Sequence, residues 1–138
     1  MIDYNSLTGV PFVKGARGPQ AYDCYGLLSE CHLRDGRNIP DYRSPSDQTA
    51  IAKLMLQEKS KWREIWRRGD SEFRHSLISP GNTILFSILG LPSHVGYALS
   101  TREFLHTWEK SGGVTVERIS YWKNRIYGIY NYDEPSYV

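Results

Sequence analysis

Residues 23–33 read Asp-Cys-Tyr-Gly-Leu-Leu-Ser-Glu-Cys-His-Leu, and the interpretation of the whole sequence depends on this stretch. Within it, Leu27 and Cys31 recur one helical turn apart, and Asp35-Gly36 follows as a stop signal. The pattern predicts a helix from about Cys24 to Leu33. The first cysteine then falls in the first turn of that helix, and the second falls on its apolar face.

The position of Cys24 indicates a reactive thiol. At a helix start, unpaired N–H groups and the positive end of the helix dipole stabilise a thiolate and lower the thiol pKa. Gly26 in the same turn costs about 1 kcal/mol of helix propensity relative to alanine. A glycine is expected there despite this cost if another group must approach the backbone closely. Cys31 lies two turns further on, roughly 10 Å away along a helix, beyond the ~7 Å limit for a disulfide. We interpret Cys31 as a core residue.

Two histidines supply candidate imidazoles, the second half of a nucleophilic site. After residue 82 the pattern changes to that of strands, predicted at residues 83–89, 94–99, 103–108, 114–119 and 126–130. His94 opens the second of these runs, and His106 lies in the third. If a short turn near Ser100 joins the two strands, the histidines are near neighbours and can act as a base and its orienting partner.

The remaining elements complete an α+β domain. Ser46 or Asp47 is predicted to cap a second helix, whose apolar stripe contains Ile51, Leu54, Met55 and Ile65. Helices come first and an antiparallel sheet follows, an order typical of α+β folds. We therefore expect one domain over residues 1–138, with an irregular leader at 1–22 and a frayed tail at 133–138.

The motif Asp23-Cys24-Tyr25-Gly26-Leu27, followed by His94-Val95-Gly96 and then by His106, resembles the NlpC-type cell-wall peptidases. These are papain-like enzymes with a Cys-His-His triad, and the similarity runs from about Gly9 to Tyr132. The resemblance implies a papain-like NlpC-type fold with N-terminal helices packed on a five- to six-stranded antiparallel sheet. It also implies that Cys24 is the nucleophile, His94 the base and His106 the orienting residue.

Two positions depart from the family pattern. Phe12 stands where the family usually has a tyrosine whose hydroxyl assists near the oxyanion, and Asn82 replaces an aspartate after Pro-Gly. Neither belongs to the triad. The resemblance implies that the substrate and the oxyanion are bound near Phe12, Asp23 and Tyr25, with backbone N–H groups as further donors.

The implied reaction is thiol-dependent amide hydrolysis. The Cys24 thiolate attacks a carbonyl, and His94 protonates the leaving amine. The resemblance implies that the bond joins D-glutamate to a diamino acid in a peptidoglycan stem peptide; acyl transfer by the same triad stays open. No cofactor or metal is expected, because the usual Cys-x₂₋₄-Cys pair of a zinc site is lacking. His32 and His75 are interpreted as solvated or capping residues.

Other features resemble the tail-assembly and tail-tip subgroup of long-tailed phages. They are the aromatic Tyr25 after the cysteine, the segment 39–42, and the segments 116–119 and 125–128 with Trp122. The resemblance implies a component of the virion tail that is made in the bacterial cytoplasm and acts in the cell wall. No signal peptide is visible, which fits this location and also a cytoplasmic enzyme that trims recycled wall peptides. The alternative from another class is a tail-tip structural module with little or no turnover.

Residues 59–68 form a basic segment with five basic residues and one acidic residue. One interpretation is a docking surface for tail-tip or baseplate proteins, or for glycan, made by Trp62, Trp66, Arg67 and Arg68. The favoured interpretation is a solvated helix end whose two tryptophans pack on the domain. The formal net charge is only +2, which argues against nucleic acid. No run reaches the ~18 apolar residues of a membrane helix, so no membrane insertion is expected.

Overall fold

A computed structural model describes residues 2–42 and 48–133 of the chain. The helices are α1 (Cys24–Arg34), α2 (Gln48–Gln57) and α3 (Ile119–Trp122). The strands are β1 (Trp62–Arg67), β2 (Thr83–Ile88), β3 (Leu91–Ala98), β4 (Glu103–His106), β5 (Thr115–Arg118) and β6 (Ile126–Tyr132). Short 3₁₀ turns lie at His75–Leu77, Glu109–Ser111 and Lys123–Arg125. The α+β class is confirmed, while the predicted cap of α2 and residues 134–138 lie outside the described residues.

The six strands form one antiparallel sheet in the order β1-β6-β2-β3-β4-β5. Strands β2 to β5 follow one another as the predicted meander. The last strand, β6, returns to the middle of the sheet and pairs with both β1 and β2. The end of the chain therefore ties β1 to the rest of the sheet.

The first turn of α1 is fixed by a cap and by a glycine. The Asp23 carboxylate accepts a hydrogen bond from the Gly26 N–H at 2.7 Å, which satisfies one of the free donors at the helix start. A Cβ at Gly26 would collide with the Ala16 carbonyl oxygen and would lie 3.1 Å from the Arg17 Cα. Residues 16 and 17 thus cross directly over the turn that carries Cys24, and the expected close approach to the Gly26 backbone is confirmed.

The basic segment is a strand, so the helical interpretation of it is wrong. Trp62 pairs with Tyr132 and Trp66 with Ile129, and the register shifts between them at Ile65. This bulge sends the two tryptophans to opposite faces of the sheet, where each is only 3% exposed. The prediction that both pack on the domain is confirmed. The i, i+4 spacing that predicts one helix face is here carried by a bulged strand, and the pairing with β6 decides between helix and strand.

The second helix buries a narrower stripe than expected. Ile51, Ala52 and Met55 are buried, whereas Leu54 is 38% exposed. Ile65 lies in β1 and not on this helix. The stripe of α2 faces β3, so the two longer helices cover one side of the sheet while α3 packs on the other.

His32 is a core residue, contrary to the expectation of a solvated or capping role. Its ring is fully buried, its Nε2 lies 2.8 Å from the Thr83 hydroxyl, and it packs edge-on against Tyr97 at 5.3 Å between ring centroids. Burial lowers the pKa of His32 to about 3 because the charged ring would lose its hydration. His32 therefore stays neutral in the folded protein at neutral pH.

We expect His32 to make the fold acid-sensitive. The unfolded chain takes up a proton near pH 6.5, while folded His32 does so only near pH 3. The free energy of unfolding should therefore fall by up to about 1.4 kcal/mol per pH unit as pH decreases across this window. In His32→Gln this contribution is removed, so urea denaturation at several pH values should show a shallower slope than wild type. The matched control is His75→Gln, since His75 is only partly buried; equal slopes in wild type and His32→Gln would contradict the prediction.

Candidate active site

The Cys24 thiol lies between α1, α2 and β3. Cys24 is the first residue of α1 and is 3% exposed. Its S–H donates to the Gln48 side-chain carbonyl, with 2.7 Å between Sγ and Oε1. Gln48 opens α2, and its Nε2 donates to the Asp23 carboxylate at 3.2 Å. The backbone N–H groups of Tyr25 and Val95 also hydrogen-bond to the thiol sulfur.

Burial decides the protonation state of this thiol. It raises the pKa of Cys24 to about 12, even though the Val95 and Tyr25 backbone N–H groups favour the thiolate. The expectation that the helix start lowers this pKa is therefore wrong for the resting site. The physical reason is that the free energy lost when the thiolate is removed from water exceeds the stabilisation that the backbone N–H groups provide. At rest, Cys24 is a neutral thiol whose proton points to Gln48.

His94 and His106 meet across β3 and β4. His94 Nε2 lies 2.7 Å from His106 Nδ1, and both rings are buried. The pairing of Tyr97 with Leu105 sets the register between the two strands. Opposite β2, the register shifts just before His94, so that Ser93 is the extra residue of a bulge. Such bulges re-aim side chains next to active sites.

Aromatic rings enclose the two imidazoles. Trp122 stacks on His94 with 5.7 Å between centroids and meets His106 edge-on at 5.0 Å. Trp108 packs on the His94 ring at 5.7 Å. Burial lowers the pKa of both imidazoles, that of His94 well below its ordinary value. Both rings are therefore neutral at rest, and each carries one N–H.

A cavity of about 720 Å³ brings the thiol and the first imidazole to one wall. Cavities of roughly 300–1,000 Å³ hold small organic ligands. Its lining includes Cys24, His94, Phe12, Gln48, Trp108, Lys110 and Arg125. Two of these are cations held over indole rings, Lys110 over Trp108 and Arg125 over Trp122. The cavity thus brings together a thiol, an imidazole and positive charge.

The three residues predicted on the substrate and oxyanion side occupy different places. Phe12 lines the cavity, without the hydroxyl of the family's usual tyrosine. Asp23 lies beneath the thiol as the cap of α1 and is bridged by Arg17 at 2.7 Å. Tyr25 is fully buried, and its hydroxyl donates to the Pro40 carbonyl at 2.5 Å. Of the three, Phe12 alone lines the cavity that contains Cys24 and His94.

The structure adds two residues that sequence reasoning missed. Gln48 contacts the thiol although the two residues are 24 positions apart in the sequence, and no local sequence pattern indicates that contact. Glu117 accepts a short hydrogen bond from His106 Nε2. A sequence signal for Glu117 did exist, since it is the one acidic residue of the strand predicted at 114–119, which follows the strand of His106 in the sheet. Asn82, the second departure from the family pattern, binds the Ser79 N–H at 2.8 Å in a turn away from the cavity lining.

The sequence profile of the NlpC/P60 family matches residues 9–131. The chain belongs to the NlpC/P60 family. Members of this family are generally cysteine peptidases that act on peptidoglycan. None of the curated proteins matches the chain in sequence.

Several solved structures share the NlpC/P60 fold of this chain. An NLP/P60-family protein similar to a lipoprotein, from Staphylococcus aureus, superposes with a TM-score of 0.62 at 17% identity, covering 96% of this chain and 39% of that one. NlpC1 from Trichomonas vaginalis gives 0.66 at 21% identity, covering 91% and 40%. The NlpC/p60 domain of the peptidoglycan hydrolase SagA gives 0.57 at 18% identity, covering 93% and 91%.

These comparisons establish a shared domain fold. The chain spans about two fifths of the length of the Staphylococcus and Trichomonas proteins, and nearly all of the SagA domain. Within residues 2–42 and 48–133, no helix has the length and apolar character needed to cross a membrane. The same residues contain no cluster of three His, Cys, Asp or Glu side chains arranged to hold a metal ion.

We expect Gln48→Ala to activate the Cys24 thiol. The change removes the acceptor that holds the thiol proton and admits water, and both effects lower the pKa of Cys24. The thiolate fraction at neutral pH rises about tenfold for each unit by which this pKa falls. Cys24 should then react faster with iodoacetamide than in wild type, as followed by mass spectrometry of the peptide that carries it.

The control for this experiment is Gln57→Ala, the same substitution at the exposed far end of α2. Buried Cys31, whose pKa burial also raises to about 12, serves as the internal reference thiol. If Gln48→Ala leaves the ratio of Cys24 to Cys31 labelling at the wild-type value, Gln48 does not hold the thiol proton.

Proposed function

We propose that this NlpC/P60 domain is a cysteine endopeptidase that hydrolyses the amide bond between D-glutamate and the diamino acid of peptidoglycan stem peptides. One observation carries the proposal. Cys24 and His94 line the same cavity, and His94 is hydrogen-bonded to a second buried imidazole, His106. This is the arrangement of a thiol nucleophile, its base and an orienting group.

The reaction follows from the positions of these groups. His94 takes the Cys24 proton, and the thiolate attacks the amide carbonyl to form a tetrahedral oxyanion. Backbone N–H groups, that of Cys24 included, hold this oxyanion, and Phe12 adds no hydroxyl donor. The protonated His94 then donates to the leaving amine, which leaves a thioester on Cys24. Water deprotonated by His94 cleaves the thioester and restores the thiol.

The cavity suits an acidic peptide. Stem peptides carry free carboxylates, and Lys110 and Arg125 place two cations at the cavity wall. The indole faces of Trp108 and Trp122 hold these cations within 6 Å, a geometry that stabilises them in place. Charge complementarity therefore supports a wall-peptide substrate.

We further propose that the domain works as a component of a phage or phage-like tail, made in the bacterial cytoplasm and acting in the cell wall. The support is the resemblance of residues 39–42, 116–119 and 125–128 to tail-tip proteins. Contact with other tail-tip or baseplate proteins would use Arg67, whose side chain is 51% exposed. Trp62 and Trp66 are buried within the domain and would support the strand that carries Arg67 from inside.

A second function, a structural tail module with little turnover, is favoured by one observation. The Cys24 thiol is buried and its pKa is raised to about 12, which suppresses the thiolate at neutral pH. The loss of the tyrosine hydroxyl at Phe12 points in the same direction. Direct measurement of turnover separates the two functions.

We expect wild-type protein to split muropeptides and free stem peptides between D-glutamate and the diamino acid, as detected by mass spectrometry. Cys24→Ala should produce no such fragments, because the nucleophile is lost. Cys31→Ala is the matched control, since it removes the other buried thiol outside the cavity lining. Intact substrates after incubation of folded wild type with several wall chemistries would favour the structural module.

A further inference from the structure

The hydrogen-bond chain that begins at His94 continues through His106 to Glu117. His94 Nε2 lies 2.7 Å from His106 Nδ1, and His106 Nε2 makes a short hydrogen bond to Glu117 Oε2. His106 is fully buried, whereas the Glu117 side chain is 32% exposed. Glu117 also lines a separate cavity of about 590 Å³. The hydrogen-bond chain thus runs from the cavity of Cys24 across β3, β4 and β5 to a second cavity.

The Glu117 carboxylate at the outer end determines which ring nitrogens carry protons along the whole hydrogen-bond chain. A carboxylate accepts hydrogen bonds and donates none, so the bond to Glu117 requires a proton on His106 Nε2. Burial lowers the pKa of His106, and a neutral ring carries a single N–H. His106 Nδ1 is therefore a lone pair, and the bond between the rings requires the proton on His94 Nε2. His94 Nδ1 is then left as a lone pair.

We propose that Glu117 is a positioning residue that sets the tautomers of both imidazoles and thereby assigns the basic nitrogen of His94 to Nδ1. In this arrangement Nε2 of His94 is occupied by His106, and Nδ1 is the nitrogen left to accept the Cys24 proton. The consequence for turnover rests on the proposed peptidase function, whereas the tautomers are a property of the resting protein.

The strand register explains how one residue reaches this position. Glu117 pairs with Phe104 and Thr115 with His106 across β4 and β5. Glu117 is therefore two residues from the direct partner of His106, a diagonal distance that a long side chain spans. The opposite end of the carboxylate stays in contact with water at the second cavity, so holding it in place does not require burying the whole group.

Substituting Glu117 by glutamine keeps the shape of the side chain, but the side chain is no longer restricted to accepting hydrogen bonds. An amide offers both an N–H and a carbonyl, so His106 Nε2 can become an acceptor. When the two rings reverse together, His94 Nδ1 carries a proton and no longer offers the lone pair that would accept the Cys24 proton. Glu117→Asp keeps acceptors only. Because β5 is the edge strand of the sheet, a small shift of this strand should let the shorter side chain reach His106, and the wild-type tautomers should be preserved.

The test is ¹⁵N NMR of histidine-labelled resting protein, in which protonated and unprotonated ring nitrogens resonate far apart. Wild type and Glu117→Asp should show His94 and His106 with protons on Nε2, whereas Glu117→Gln should show mixed or reversed tautomers. His32→Gln and His75→Gln assign the remaining signals. Glu103→Gln is the matched control, an equal change of charge in β4 at the same second cavity. Wild-type tautomers in folded Glu117→Gln, or a proton on His94 Nδ1 in wild type, overturn the proposal.

Kinetics on stem peptides give the second readout. We expect kcat to fall by roughly 100-fold or more in Glu117→Gln, since the wrong tautomer costs about 10⁴-fold in a serine-protease triad, with KM unchanged and with recovery in Glu117→Asp. A matching loss in Glu103→Gln would overturn the assignment. Failure of the peptidase function itself would leave wild type without turnover while the NMR result stands, so the two failures are distinguishable.

Discussion

The contact between the first turn of α1 and strand β3 is the constraint on which the rest of the structure depends. Asp23 caps this turn, and the missing side chain of Gly26 lets Ala16 and Arg17 cross over it. The turn then presents the Cys24 thiol to the Val95 backbone of β3. Because His94 is the neighbour of Val95, a single packing contact places Cys24 and His94 in one cavity.

The same contact sets the electrostatics of the site. A buried thiolate–imidazolium pair would lose the hydration of two charges. The site at rest avoids this cost with a neutral thiol bonded to Gln48 and two neutral imidazoles. Glu117, a charged acceptor of this hydrogen-bonded group, keeps part of its side chain in water. Enclosure by Trp108 and Trp122 thus strengthens the hydrogen bonds of the site and disfavours separated charge.

Local patterns in the sequence were sufficient for α1, for strands β2 to β5 and for their antiparallel meander. Each of these elements has its own signal, such as the helical spacing of Leu27 and Cys31 and the Asp35-Gly36 stop for α1. Strand β1 was predicted as a helix end because Trp62 and Trp66 are one helical turn apart, and nothing local in the sequence marks the bulge between them. The bulge at Ile65 and the pairing with β6 resolve that ambiguity, and both depend on a strand more than sixty residues away.

The sequence by itself determined the α+β class, the helix that carries Cys24, and the spacing that lets His94 and His106 meet, because these follow from short-range periodicity and from turn length. Only the tertiary structure decided that the thiol is neutral, that Gln48 holds its proton and that Glu117 ends the hydrogen-bond chain. Desolvation of Cys24 and its bond to Gln48 arise from packing between segments far apart in the chain, and Glu117 joins His106 through strand register. These quantities depend on how segments assemble, and no single segment encodes them.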